Sequence, residues 1–149
     1  MAAKNAKDKL VFIEPDLSVA QIDYLASILQ VRDSDGTAKS SDIASAAGVT
    51  RSTASTMLKL MKGAGLIDFR AYGPVSLTPR GEELAKNIHG MREELKGLLT
   101  DVLGIDEETA QRTAACFKGT VHPAIPEQLE LLRRFMSKNK KKWKKMTED

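Results

Sequence analysis

Residues 40 to 66 constrain this chain more than any other stretch. A short apolar stripe, Ile43, Ala44 and Ala47, ends at Gly48, and a second, Ala54, Met57, Leu58 and Met61, follows Thr50 and stops at Gly63 and Gly65. Apolar residues three and four apart share one face of a helix. Ser40 or Ser41 and Thr50 are suited to cap helix starts, because a side-chain oxygen there accepts an otherwise unpaired backbone N–H. Glycine ends a helix by adopting left-handed backbone without strain. The pattern predicts two short helices joined by a tight glycine-containing turn, a helix-turn-helix.

The flanks complete a small domain around that pair. Ser18 and Gln21 have the spacing of a capping box, and Ile22, Leu25, Ile28 and Leu29 follow at helical intervals. This predicts a first helix ending near residues 33 to 36. Beyond Gly65, two extended segments, Leu66 to Arg70 and Val75 to Leu77, flank Ala71-Tyr72-Gly73-Pro74, a turn composition that makes the pair a hairpin, or wing. Thr78-Pro79 then starts a long helix, since proline at the first helical position gives up no useful donor. Along it Leu84, Ile88, Met91, Leu95 and Leu98 alternate spacings of four and three, a narrow seam suited to helix packing or to a subunit interface. Gly104 interrupts, Asp106 is placed to cap a helix over 107 to 117, and a loop with two prolines leads to a last helix over 127 to 136. The expected fold is mainly α: an arm over 1–17, a winged helix-turn-helix domain over 18–78, a helical domain over 79–137 and a lysine-rich tail over 138–149.

Composition agrees with a helical globular chain. Hydrophobic residues make up 42% and charged residues 29% of the 149 positions, while aromatics are only 5%, which disfavours a sandwich or barrel. No apolar run approaches a membrane span or a secretory signal, and Cys116, the single cysteine, excludes an internal disulfide; the expected location is cytoplasmic. The net charge of +3 belongs to the end of the chain. Residues 138 to 149 hold six lysines against two acids, so the remainder is net −1. Overall charge therefore does not identify a polyanionic partner, and the motif must.

With its apolar face turned inward, the second helix of the motif exposes Arg51, Ser52, Ser55, Thr56 and Lys59, with Thr50 at its start. Such short donors and cations reach base edges and phosphates without crowding a groove, and Arg70 and Tyr72 on the hairpin extend toward a flanking backbone. The expected partner is double-stranded DNA; RNA is disfavoured because no aromatic stacking surface accompanies the motif. The alternative is a winged-helix protein-interaction module without specific DNA binding. Cys116 and His122 offer a nucleophile and a base, but no third orienting residue or oxyanion loop joins them, and the chain is read as a non-enzyme.

From about Ser18 to Phe135 the chain resembles the diphtheria toxin repressor and manganese transport regulator (DtxR/MntR) family of metal-dependent repressors. The residues that carry the likeness are Asp23-Tyr24, Ser41-Asp42-Ile43-Ala44, Leu77-Thr78-Pro79-Arg80-Gly81, Leu98-Leu99-Thr100-Asp101 with Gly104-Ile105-Asp106, and Ala115-Cys116. The resemblance implies a winged helix-turn-helix DNA-binding domain over 18–78, a helical dimerisation domain over 79–137 and a homodimer on a palindromic operator; the Leu84 to Leu98 seam independently supports a dimer interface. It also implies a site for Mn2+ or Fe2+ between helix one, the linking helix and the helix after it. Asp23 and Cys116 fall on ligand positions of that site. Ala26 stands where a carboxylate is expected, Arg92 where the linking-helix histidine is expected, and Gly119 and Thr120 where glutamate and histidine are expected. Two expectations stay open: a remnant that no longer uses metal, with Arg92 pairing Asp23 or a neighbouring carboxylate in its place, or a displaced divalent site (Mn, Fe or Zn) drawing on Cys116, His122, His89 and Glu93 or Glu94.

Overall fold

A computed structural model describes residues 17–70, 73–122 and 124–147. The arm with Leu10 to Ile13, and Ala71-Tyr72 at the tip of the expected hairpin, lie outside them. The described residues fall into two compact units, one up to Ile88 and the other from His89 onward.

The first unit begins with α1, Val19–Val31, whose N-cap Ser18 and Gln21 exchange both bonds of a capping box. After the two-residue strand β1, Thr37–Ala38, come α2, Ser40–Ala46, and α3, Arg51–Gly63. The cap of α2 is Lys39 rather than a serine, and it makes no side-chain capping bond; Ser40 and Ser41 both lie inside the helix. Gly48 takes φ +67°, which lets the Val49 N–H reach back to the Ala44 carbonyl at 3.0 Å and closes α2 with the turn that glycine favours. Strands β2, Ile67–Phe69, and β3, Val75–Leu77, form the hairpin, and β1 adds to β3 on its other side, giving the order β1-β3-β2 with both pairings antiparallel.

Leu25, Ile28, Ile43, Met61, Leu66, Ile67, Val75 and Ile88 are almost completely buried in one core. Each such side chain contributes on the order of 1.5–3 kcal/mol relative to an exposed position, so three short helices and a marginal hairpin stabilise one another. Tyr24 is also buried there, with no hydrogen-bond partner for its hydroxyl among the described residues, and desolvation pushes its phenol pKa up. An ion pair between Arg32 and Glu82 at 2.6 Å fastens the end of α1 to the first turn of α4, Pro79–Gly97.

Leu84 and Ile88, expected at a subunit interface, are 2% and 0% exposed within that same core. Their own chain covers them, which corrects the interface reading at these two positions. The division between the units falls inside α4, after Ile88.

The second unit holds the rest of α4, a π-helical turn Leu98–Val102, α5, Glu107–Ala115, α6, Ala124–Lys138, and α7, Lys140–Thr147. Asp106 caps α5 by accepting the Thr109 N–H at 2.9 Å. Arg133 of α6 fixes the unit from within: it reaches Glu94 at 3.0 Å and Asp101 at 2.8 Å, and the two carboxylates raise its pKa. The stretch read as a lysine-rich tail is thus helical from Lys140 to Thr147.

Candidate nucleic-acid interface

Thr50 sets the start of α3 by accepting the Thr53 N–H at 3.2 Å. Ala54, Leu58 and Met61 turn inward and are at most 3% exposed. Arg51, Ser52, Ser55, Thr56 and Lys59 are all exposed, and so are Thr50 and Arg70. The helix therefore presents one continuous polar face with two cations, and its opposite face is locked into a core. Tyr72 lies outside the described residues.

Several features of this face carried no signal in the sequence pattern. Leu60 is 61% exposed beside Thr56 and Lys59, although its residue type suggested core. Lys62 turns back from the helix: it pairs with Asp68 at 2.9 Å, donates to the Phe69 carbonyl and lies 4.8 Å from the Phe69 ring centroid. Its hydrogen bond is the main reason the Asp68 carboxyl is held below its usual range. Lys62 thereby anchors the hairpin to α3 and is committed to that role. Between the helix and the hairpin lies an open hollow of about 1020 Å³, with Lys39, Ser55, Lys59 and Phe69 among its lining residues. The two lysines share the lining of this hollow with one carboxylate, Asp33.

At the positions tied to metal, Asp23 sits half-buried on α1, in the first unit, and Cys116 and His122 belong to the second. Cys116 is exposed, and its thiol donates to the Arg112 carbonyl at 3.4 Å. His122 accepts the Ala124 N–H on Nδ1 at 3.2 Å, while its Nε2 is buried without a partner among the described residues. Arg92 donates from Nε and Nη2 to the Phe117 carbonyl, at 3.1 and 3.0 Å. Among the described residues no three histidine, cysteine, aspartate or glutamate side chains converge where a metal ion could sit.

Comparison with known proteins adds independent observations. A profile described as iron dependent repressor, N-terminal DNA binding domain, matches residues 16–75. An HTH-type transcriptional regulator of Methanocaldococcus jannaschii is 31% identical over 121 residues, 80% of this chain and 94% of that one. The transcriptional regulator MntR of Escherichia coli O6:H1 is 32% identical over 117 residues, 78% of this chain and 73% of that one. Among solved structures, a hypothetical protein of Sulfolobus solfataricus superposes with a TM-score of 0.55 at 25% identity, covering 76% of this chain and 86% of that one. IdeR of T. acidophilum superposes with a TM-score of 0.59 at 18% identity, covering 80% of this chain and 55% of that one, a likeness of fold.

Proposed function

Since the chain belongs to the diphtheria toxin repressor and manganese transport regulator family of DNA-binding transcriptional regulators, we infer that it acts as a homodimeric repressor. It binds a palindromic operator by laying α3 of each subunit in a major groove. The observation that carries this reading is the exposed polar face of α3, Arg51 to Lys59, on a helix whose other face is buried. Arg51, near the N-terminus of the helix, is assigned to base edges, where a guanidinium matches guanine. Lys59, further along and beside the hollow, is assigned to phosphate. Ser52, Ser55 and Thr56 lie between them as short donors, and Thr50, Arg70 and Tyr72 complete the set toward the backbone.

The dimer reading rests on the second unit, because a two-fold operator asks for a two-fold protein. Met91, Leu95 and Leu98 remain half-covered, and on α6 Ile125, Leu132 and Phe135 are 43%, 47% and 62% exposed, more apolar surface than a lone unit leaves in water without cause. As a regulator the protein is assigned to the cytoplasm and not to catalysis, and no described helix is long and apolar enough to cross a membrane. A divalent metal enters the family's regulation.

The test is selection of bound fragments from random duplex DNA, followed by affinity measurement across a range of salt. A recurring inverted repeat is expected, with Arg51→Ala weakening binding by about 1–3 kcal/mol and relaxing one base position. Lys59→Ala should weaken all sequences alike and reduce the salt slope by about 1. Equal affinity of both variants and the parent at every salt concentration would remove α3 as the docking face. Binding only to a protein partner would favour the interaction-module reading.

A further inference from the structure

In the metal-dependent members that the chain resembles, a histidine ligand of a divalent ion is expected where Arg92 stands. The residues present do not fit such an ion. Among the described residues no three suitable donors converge, whereas a first-row divalent ion takes four to six. Two of the candidates in the second unit, His122 and Cys116, also have an atom engaged within the chain. His122 accepts a backbone N–H on Nδ1 at 3.2 Å, which occupies that nitrogen's lone pair. The Cys116 sulfur lies 3.4 Å from the Arg112 carbonyl oxygen at the end of its own helix. Arg92 supplies a fixed positive charge of its own, and an arginine stays charged at any pH the protein meets.

We propose that Arg92 is a built-in replacement for the metal: its guanidinium braces α4 against the turn after α5, so that operator binding is constitutive with respect to divalent ions. The brace is specific in geometry. Both Nε and Nη2 converge on the Phe117 carbonyl at 3.1 and 3.0 Å, which lies just past the C-terminus of α5. A cation there meets carbonyls at the negative end of the helix, and two charge-assisted bonds to one acceptor hold the separation of the elements. The consequence for DNA runs through the dimer. Two recognition helices must reach successive major grooves about 34 Å apart, and a second unit whose helices shift against each other cannot hold that spacing. The inference rests on the operator-binding reading above, and it adds that the signal to bind is not a metal.

The experiment has two arms, so that the two readings fail separately. In the first, the full chain is titrated with Mn2+, Fe2+ and Zn2+ by calorimetry after chelator treatment, and thermal unfolding is followed with and without each ion. No stoichiometric binding and an unchanged midpoint are expected, and Arg92→Met should lower the midpoint in chelator, with Arg92→Lys between it and the parent. Stoichiometric binding by the parent, or an Arg92→Met variant as stable as the parent, overturns the proposal whatever the DNA result. In the second arm, affinity for the selected operator is compared in chelator and in each ion. The parent should stay within about twofold, while loss of the charged brace should weaken binding on the order of tenfold in both conditions, as expected for hydrogen bonds made by a charged donor. A tenfold gain confined to metal-loaded parent also overturns it, and a chain that selects no DNA at all defeats the regulator reading while the calorimetric arm still decides this one.

Discussion

Gly81 lies on α4 where that helix crosses the start of the hairpin, and its replacement by alanine tests the packing of the DNA-binding unit at one atom. A Cβ added there would fall 1.9 Å from the Leu66 carbonyl oxygen and 2.9 Å from its carbon. Non-bonded heavy atoms settle near ~3.5 Å, so α4 and the chain at Leu66 must part by more than ~1 Å. The parting pulls on the bond from the Thr78 N–H to that same oxygen, now 3.0 Å, and on the one from Thr78 Oγ1 to the Gly65 carbonyl, 2.7 Å, each worth about 1 kcal/mol. Forced overpacking adds about 1–3 kcal/mol, while the better helix propensity of alanine returns about 1 kcal/mol. The net expectation is a loss of ~2–4 kcal/mol, a large part of the ~5–15 kcal/mol that holds a domain together. With a urea slope of ~1–3 kcal/mol/M, the unfolding midpoint should drop by roughly 0.7–4 M. Gly90→Ala is the internal control. It lies on the same helix with nothing within 4 Å of the added atom, so it should stabilise by up to ~1 kcal/mol. Equal midpoints for the two variants, or a Gly81→Ala protein as stable as its parent, would refute the close-approach argument.

Further predictions follow from the second unit, the first turn of α4 and the recognition face. Phe135→Glu should yield monomers and weaken operator binding without unfolding the chain, since the ring is 62% exposed; sedimentation showing a parental monomer at micromolar concentration would end the dimer proposal. Hydrogen bonds from Lys86 and then Arg32 hold the Glu82 carboxyl below its ordinary 4.5, so its contribution is full above that value and fades as pH falls through the lower folded-state value. Glu82→Gln should therefore lower the melting midpoint at neutral pH, with the gap closing in acid; a gap that persists unchanged at pH 2 would show that charge is not its origin. Arg51→Ala and Lys59→Ala should separate loss of base preference from loss of salt dependence in the assays already described.

Much of this molecule is written in short-range signals. The Ser18 capping box, the Thr50 and Asp106 caps, the left-handed turn at Gly48 and the start of α4 at Pro79 each depend on a few consecutive residues, and all stand where the sequence places them. The exposed polar face of α3 was legible for the same reason, since a 3.6-residue period with one apolar side leaves the other side defined. What periodicity does not encode is the partner a residue meets. Leu84 and Ile88 share a seam with Met91, Leu95 and Leu98, yet the first two fill the core of the DNA-binding unit and the others do not. Burial there depends on residues 20 to 60 positions away folding over the helix. Strand β1, two residues with no pattern of their own, exists only because β3 offers it an edge. Gly81 was visible as a member of a motif, but its necessity comes from the Leu66 carbonyl behind it. Arg92 was visible as a cation in an unexpected place, and only the folded chain supplies the Phe117 carbonyl, because an acceptor 25 residues away is brought within hydrogen-bond reach by the packing of α5 and the turn that follows it.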